Sequence, residues 1–229
     1  IHLSSQPVDM AIDTTGERLF TLLMNENSVH QLSFDGYLNE SILLPTTVSR
    51  HCRLAYDDIT SSVWISNYEE NLVYRYKLND TLDSLITFTG VQDPRDIVPD
   101  PLEGGCWVAT KAGITIIDHD GSISVYKNSL DIKDISLNSV NGDCYYVGKN
   151  LNTSQWETGR LIKQESIQDE NILGNDYPYL HSIQVVPGQG PRGFLVSQAY
   201  AWKLIRFDHQ WKKIGTMAGF NARLDFALE

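Results

Sequence analysis

The chain has little with which to cross-link itself, ligate a metal or grip a phosphate. Its 229 residues hold three cysteines, Cys52, Cys106 and Cys144, with no C-x-x-C spacing. That excludes a disulfide framework and leaves the redox compartment open. Cys106 and Cys144 stand before Trp107-Val108-Ala109 and Tyr145-Tyr146-Val147, Cys52 heads an inner strand, and all three are expected to act as small buried hydrophobes. The six histidines are scattered, without metal-ligand spacing. No Gly-x-Ser-x-Gly is present, so there is no nucleophile elbow. Pro187-Gly188-Gln189-Gly190-Pro191 lacks the Lys-Ser/Thr of a phosphate loop, and its prolines donate no N–H, so it reads as a turn. No run of 18 apolar residues exists that could span a membrane. Positive charge is also scarce. Lys and Arg number 18 against 29 Asp and Glu, for a net charge of −11. Nucleic acid and anionic membrane are thereby excluded as main partners, since both need a basic surface.

The chain begins at Ile1, without Met. That is expected of a mature chain whose leader was removed, or of a piece of a longer protein, and the expected compartment is extracellular or periplasmic. Sequons stand at Asn39, Asn79 and Asn152.

What the chain does have is a repeat. Asp9-Met10-Ala11-Ile12-Asp13 returns as Arg53–Asp57, Asp96–Asp100, Asp134–Asn138, Ser182–Val186 and Asp225–Glu229. The starts lie 44, 43, 38, 48 and 43 residues apart. A period of about 40–45 residues with several short strands per unit is the mark of a β-propeller. Hydrophobic content of 41% and charged content of 21% suit a soluble globular chain that buries a core. The expected fold is therefore all-β: a propeller of four-stranded antiparallel blades, with five complete repeats plus the first strand of a sixth, as a single domain over residues 1–229.

Within the first repeat, Val8–Asp13, Arg18–Leu23, Ser28–Phe34 and Tyr37–Leu43 read as strands, with Asp35-Gly36 as a tight hairpin. The acid or amide closing most inner strands can accept backbone N–H groups from the turn after it. Pro99 predicts a bulge or an early strand end. Two long polar stretches, Gly148–Gly159 and Gln168–Leu180, are expected as loops. Met10, Leu54, Ile97, Ile135, Ile183 and Phe226 share one repeat position and are expected to be buried between blades.

These units resemble the repeats of NHL-type propellers, which pair a Pro-x-Asp-apolar-small-apolar-Asp inner strand with an Asp-Gly hairpin. Pro7–Asp13 with Asp35-Gly36 carries the match best. Gly105-Cys106-Trp107-Val108-Ala109-Thr110-Lys111-Ala112-Gly113-Ile114 is similar to the sensor-propeller repeats of bacterial two-component regulators and of streptogramin lyase. The resemblance implies the fold over nearly the whole chain. No residues here match the His and Glu pair that such lyases use, so it does not carry the activity over.

Two sets of residues are candidates for function. Asp9, Asp96, Asp134 and Asp225 share one place near the start of the inner strand, with His51, His181, Arg53, Arg95 and Lys133 at the same level. Clustered carboxylates suit Ca²⁺, which takes 6–8 oxygens. A mixed acid, His and Arg ring also suits acid–base chemistry. The alternative is structural: these Asp residues bond backbone amides of the next blade. The second set is the loop face at the same end, with Tyr68, Glu69, Trp156, Tyr177, Tyr179, Tyr200 and Trp202. Exposed aromatics among polar residues are what interfaces and sugar sites use, unless they tuck against blade edges. The sequence points to a non-enzymatic binding or scaffolding module for a protein or carbohydrate ligand, within a larger assembly and without a cofactor. The rival is a propeller hydrolase or lyase with a metal at the channel mouth.

Overall fold

A computed structural model describes residues 5–78, 85–126, 129–162, 168–172, 177, 179–186, 193–198, 203–208 and 210–218. Among the described residues every regular element is a strand, and no helix is long and apolar enough to cross a membrane. Twenty strands form five four-stranded sheets in sequence order: β1–β4, β5–β8, β9–β12, β13–β16 and β17–β20. Their inner strands are β1 (Pro7–Asp13), β5 (Arg53–Asp57), β9 (Pro94–Pro99), β13 (Leu130–Leu137) and β17 (Leu180–Val185). All five carry the repeated motif. The sixth copy, at 224–229, lies outside the described residues.

The chain divides into two compact units. One comprises Ile1–Pro99, Glu103–Thr110 and Thr115–Ser124, and the other holds the remainder. In the first unit the strands alternate so that each sheet has two apolar faces. Ala11, Phe20, Leu22, Val29 and Ile42 of sheet one meet Leu54, Val63, Ile65 and Tyr74 of sheet two. The opposite face of sheet two sends Ala55, Trp64, Val73 and Phe88 against Ile97, Cys106, Val108 and Ile117 of sheet three. The second unit repeats the pattern, packing Tyr145 and Val147 of β14 (Cys144–Asn150) against Leu180, Ile183, Phe194, Val196, Ile205 and Phe207. All three cysteines are buried and free.

The shared core position is buried at Leu54, Ile97, Ile135 and Ile183, but Met10 is 59% exposed. Leu54 is covered because sheet one packs on the face of sheet two that carries it. Met10 and Ile12 lie on the opposite face of β1 from Ala11, which looks toward sheet two, and Ile12 is exposed as well. Phe226 lies outside the described residues.

The two polar stretches contain strands. β14 continues to Asn150, a turn follows, and Trp156 opens β15 (Trp156–Leu161). β16 (Gln168–Ile172) then pairs with β15 along its length. Gly159 stands in β15 because Tyr146 of β14 crosses directly over it. A Cβ there would lie 2.1 Å from the Tyr146 hydroxyl oxygen. β9 ends at Pro99, where proline has no donor for the ladder. The Asp-Gly hairpins form as expected: Gly36 has φ 85° and Gly121 has φ 92°.

Candidate functional site

Each inner strand has a head, where the chain enters, and a tail, where it turns into the next strand. The tails are closed by acid turns. Asp13 accepts the Gly16 N–H at 2.8 Å and the Arg18 guanidinium at 2.7 Å. Burial alone would raise the Asp13 carboxyl, but these two partners outweigh it and hold it below the usual carboxylate range. Asp57 accepts from the N–H groups of Ile59 and Thr60, and its second oxygen accepts the Gly105 N–H of the next sheet at 3.1 Å. Gly105 has φ +88° and a Cβ there would meet the Ile117 carbonyl, so only glycine fits. The tails are thus structural locks, with their carboxylates committed.

The heads hold the candidate residues. Asp9 accepts the Leu54 N–H of the next sheet at 2.9 Å, and Asp134 accepts the Ile183 N–H at 2.7 Å. These two carboxylates tie consecutive sheets together. Asp96 stands at the same place in β9, half-buried, and Asp225 lies outside the described residues. Lys133 is paired with Asp131 at 2.5 Å, and His181 is half-buried in β17. Among the described residues no group of three or more His, Cys, Asp or Glu is placed to hold a metal ion.

At the head of sheet two the chemistry changes. His51 Nδ1 lies 2.9 Å from Glu69 Oε1, and their side chains are 46% and 48% exposed. Arg50 donates its Nε–H to His51 Nε2 at 3.2 Å. That bond makes Nε2 the acceptor, so Nδ1 carries the hydrogen and donates it to Glu69. The bond from His51 holds the Glu69 carboxyl below its usual range. Tyr68 meets the His51 ring edge-on at 5.4 Å, and the Arg95 guanidinium lies 5.4 Å over the Tyr68 ring. Arg53 donates to the carbonyls of Arg50 and Cys52 at 3.3 and 2.9 Å.

Amide side chains fix the loops beneath this cluster. Asn27 accepts the Val48 N–H, Asn67 donates to Thr46 and to the Thr47 carbonyl, and Asn71 accepts the Asp93 N–H. Asn27 and Asn71, each in the loop after a second strand, therefore pin the connector entering the next sheet, whereas Asn67, the last residue of the strand Ser62–Asn67, holds the connector entering its own. The structure brings together His51, Arg53, Tyr68, Glu69 and Arg95. Arg50 joins them although no repeat pattern marks it; the only signal is the Arg-His-Cys-Arg run at 50–53.

In the second unit Trp156 and Tyr177 are half-buried against the apolar cluster, while Tyr179 is 54% exposed. Trp156 and Tyr179 lie 6.5 Å apart, and Tyr177 meets Phe207 edge-on. Trp156 thus sits on a strand and contributes to packing. Tyr200 and Trp202 lie outside the described residues.

A scan against protein-family models finds no match, and neither does a search of curated proteins. Solved structures do match. The virginiamycin B lyase of Staphylococcus aureus is 16% identical, with a TM-score of 0.54 over 97% of this chain and 88% of that one. A chain of the nidogen/laminin complex is 15% identical, with a TM-score of 0.70 over 96% of this chain and 82% of that one. The hydrazine synthase of Kuenenia stuttgartiensis is 10% identical, with a TM-score of 0.66 over 91% of this chain and 68% of that one. At these identities the likeness speaks for fold alone, and the fold it gives is that of the β-propellers, streptogramin lyases among them.

Proposed function

We propose that this chain is a non-enzymatic binding module that offers the head of its second and third inner strands to a protein partner, within a larger assembly. The observation that carries the reading is the cluster of exposed His51 and Glu69 around a half-buried Tyr68, with Arg95 stacked on the Tyr68 ring. Tyr and Arg are enriched among interface anchors, Tyr because its rigid ring buries much area with little rotamer freedom to lose and Arg because its planar fork presents pre-organised donors. The Asn27, Asn67 and Asn71 bonds hold the loops in place before any partner arrives, which lowers the entropy cost of docking. The nidogen/laminin neighbour, by its name a complex of two proteins, gives the reading a precedent on a similar fold. The test is a binding screen of the immobilised chain against purified extracellular proteins and a glycan array, with Tyr68→Ala as the counter-screen. The reading expects a protein partner whose affinity drops about tenfold in Tyr68→Ala, with the melting temperature unchanged. Partners insensitive to Tyr68, or glycans alone, contradict it.

A second reading rests on His51 and Glu69. A carboxylate-held imidazole is an arrangement suited to general acid–base chemistry, and three of the neighbouring structures are of lyases. It requires turnover of virginiamycin B that His51→Ala abolishes; no turnover by the intact chain removes it.

A further inference from the structure

The head of sheet two departs from its own repeat. At the place where Asp9 and Asp134 bond the following sheet, β5 carries Arg53. A guanidinium cannot accept an N–H, so the inter-sheet lock is given up there and a cation is installed instead. Its head is fixed at the strand entrance through one terminal nitrogen, which donates to two backbone carbonyls. Arg50, three residues earlier and exposed, spends only its Nε–H on His51. Arg18 and Arg160 each face a carboxylate, Asp13 and Asp143. Among the described residues neither Arg50 nor Arg53 forms a salt bridge, although Arg50 is near enough to Glu69 to help hold its carboxyl down. Each guanidinium has five N–H donors, so most of theirs are unused. The nearby Glu69 is already engaged by His51.

We infer that Arg50 and Arg53 form a receptor for carboxylates on an acidic peptide segment, with Tyr68 as its apolar wall. This rests on the loop-face reading and names its ligand chemistry. The planar guanidinium fork matches a carboxylate bidentately, which a point charge does not. The chain as a whole carries a large acidic excess, with a net charge of −11, and away from this head it repels such a segment. That directs it to this head. Glu69 opposes it, since a docking carboxylate meets a like charge.

The test is fluorescence anisotropy of a labelled Glu-rich peptide and its Gln-rich counterpart on the intact chain at physiological salt. The Glu peptide is expected to bind at least tenfold tighter. Arg50→Gln with Arg53→Gln should erase that difference without moving the melting temperature. Lys203→Gln with Arg206→Gln, which changes net charge equally in the other unit, should not. Glu69→Gln should tighten Glu-peptide binding severalfold, an effect that a structural role for Glu69 would not produce. Equal affinity for the two peptides, no binding of either, an unaffected Arg50/Arg53 double variant, or preference for a heparin oligosaccharide overturns the inference. If both peptides bind equally and Tyr68→Ala weakens both, only the anion receptor fails. If neither binds and Tyr68→Ala affects no partner, the loop-face reading fails with it.

Discussion

Leu54→Ala and Met10→Ala remove side chains from one repeat position, and the structure assigns them very different costs. Leu54 is 5% exposed and packs into the cluster between the first two sheets. Its truncation loses the transfer energy of a buried isobutyl group and leaves a void that Tyr74, Ile65 and Val63 cannot fully close, for about 2–5 kcal/mol. Met10 is 59% exposed, so less than half of its surface leaves water on folding. Its truncation should cost about 1 kcal/mol or less. Urea unfolding of both variants reads the difference, which should appear as a shift in midpoint at constant slope. Equal losses would refute the packing argument: a large cost for Met10 would mean that face is covered, and a small one for Leu54 would mean the repeat register is wrong.

Gly159→Ala should destabilise the chain by about 1–3 kcal/mol, because the new methyl meets the fully buried Tyr146 ring and neither strand can yield; the penalty should shrink in a Tyr146→Val background, measured by the same titration. Asp13 has a folded-state pKa held below its ordinary value of 3.8. Its contribution is therefore complete at neutral pH and is lost as pH falls through the folded value. The stability gap between the native chain and Arg18→Gln should be open at pH 7 and close below about pH 4; a gap that persists in acid would contradict the assignment. Cys106 is fully buried, and desolvation pushes its thiol well above the usual range. Native-state alkylation should therefore be slow there and become fast only on denaturation.

The inner strands were legible in the sequence because alternation and a closing acid recur together, as at Asp13, Asp57 and Asp100. The end of β14, most of β15 and all of β16 were not. Gln168–Ile172 begins with four polar residues and shows no apolar alternation; its ladder with β15 makes it a strand. Gly148 and Gly159 look like loop residues, yet each marks a close approach inside a ladder. The exposure of Met10 was hidden because a repeat position reports which face a residue is on, and not whether a neighbouring sheet covers that face. The head of sheet two was half legible. Arg53, His51, Tyr68 and Glu69 could be placed at one level by repeat register, but the His51–Glu69 bond joins residues 18 apart, on different loops, with no motif to announce it. The carboxylates that looked most like a metal ring proved harder to read: for Asp9 and Asp134, pairing with a neighbouring sheet's N–H depends on packing that spacing alone does not reveal.

The most direct measurement of the central claim is a hydrogen-exchange footprint of the chain with and without the Glu-rich peptide. Protection is predicted at 50–53, 67–71 and 93–95, the segments that build the head of the second and third sheets. Protection confined to the tail turns at 13–18, 57–62 and 100–105, or none at all, would contradict it.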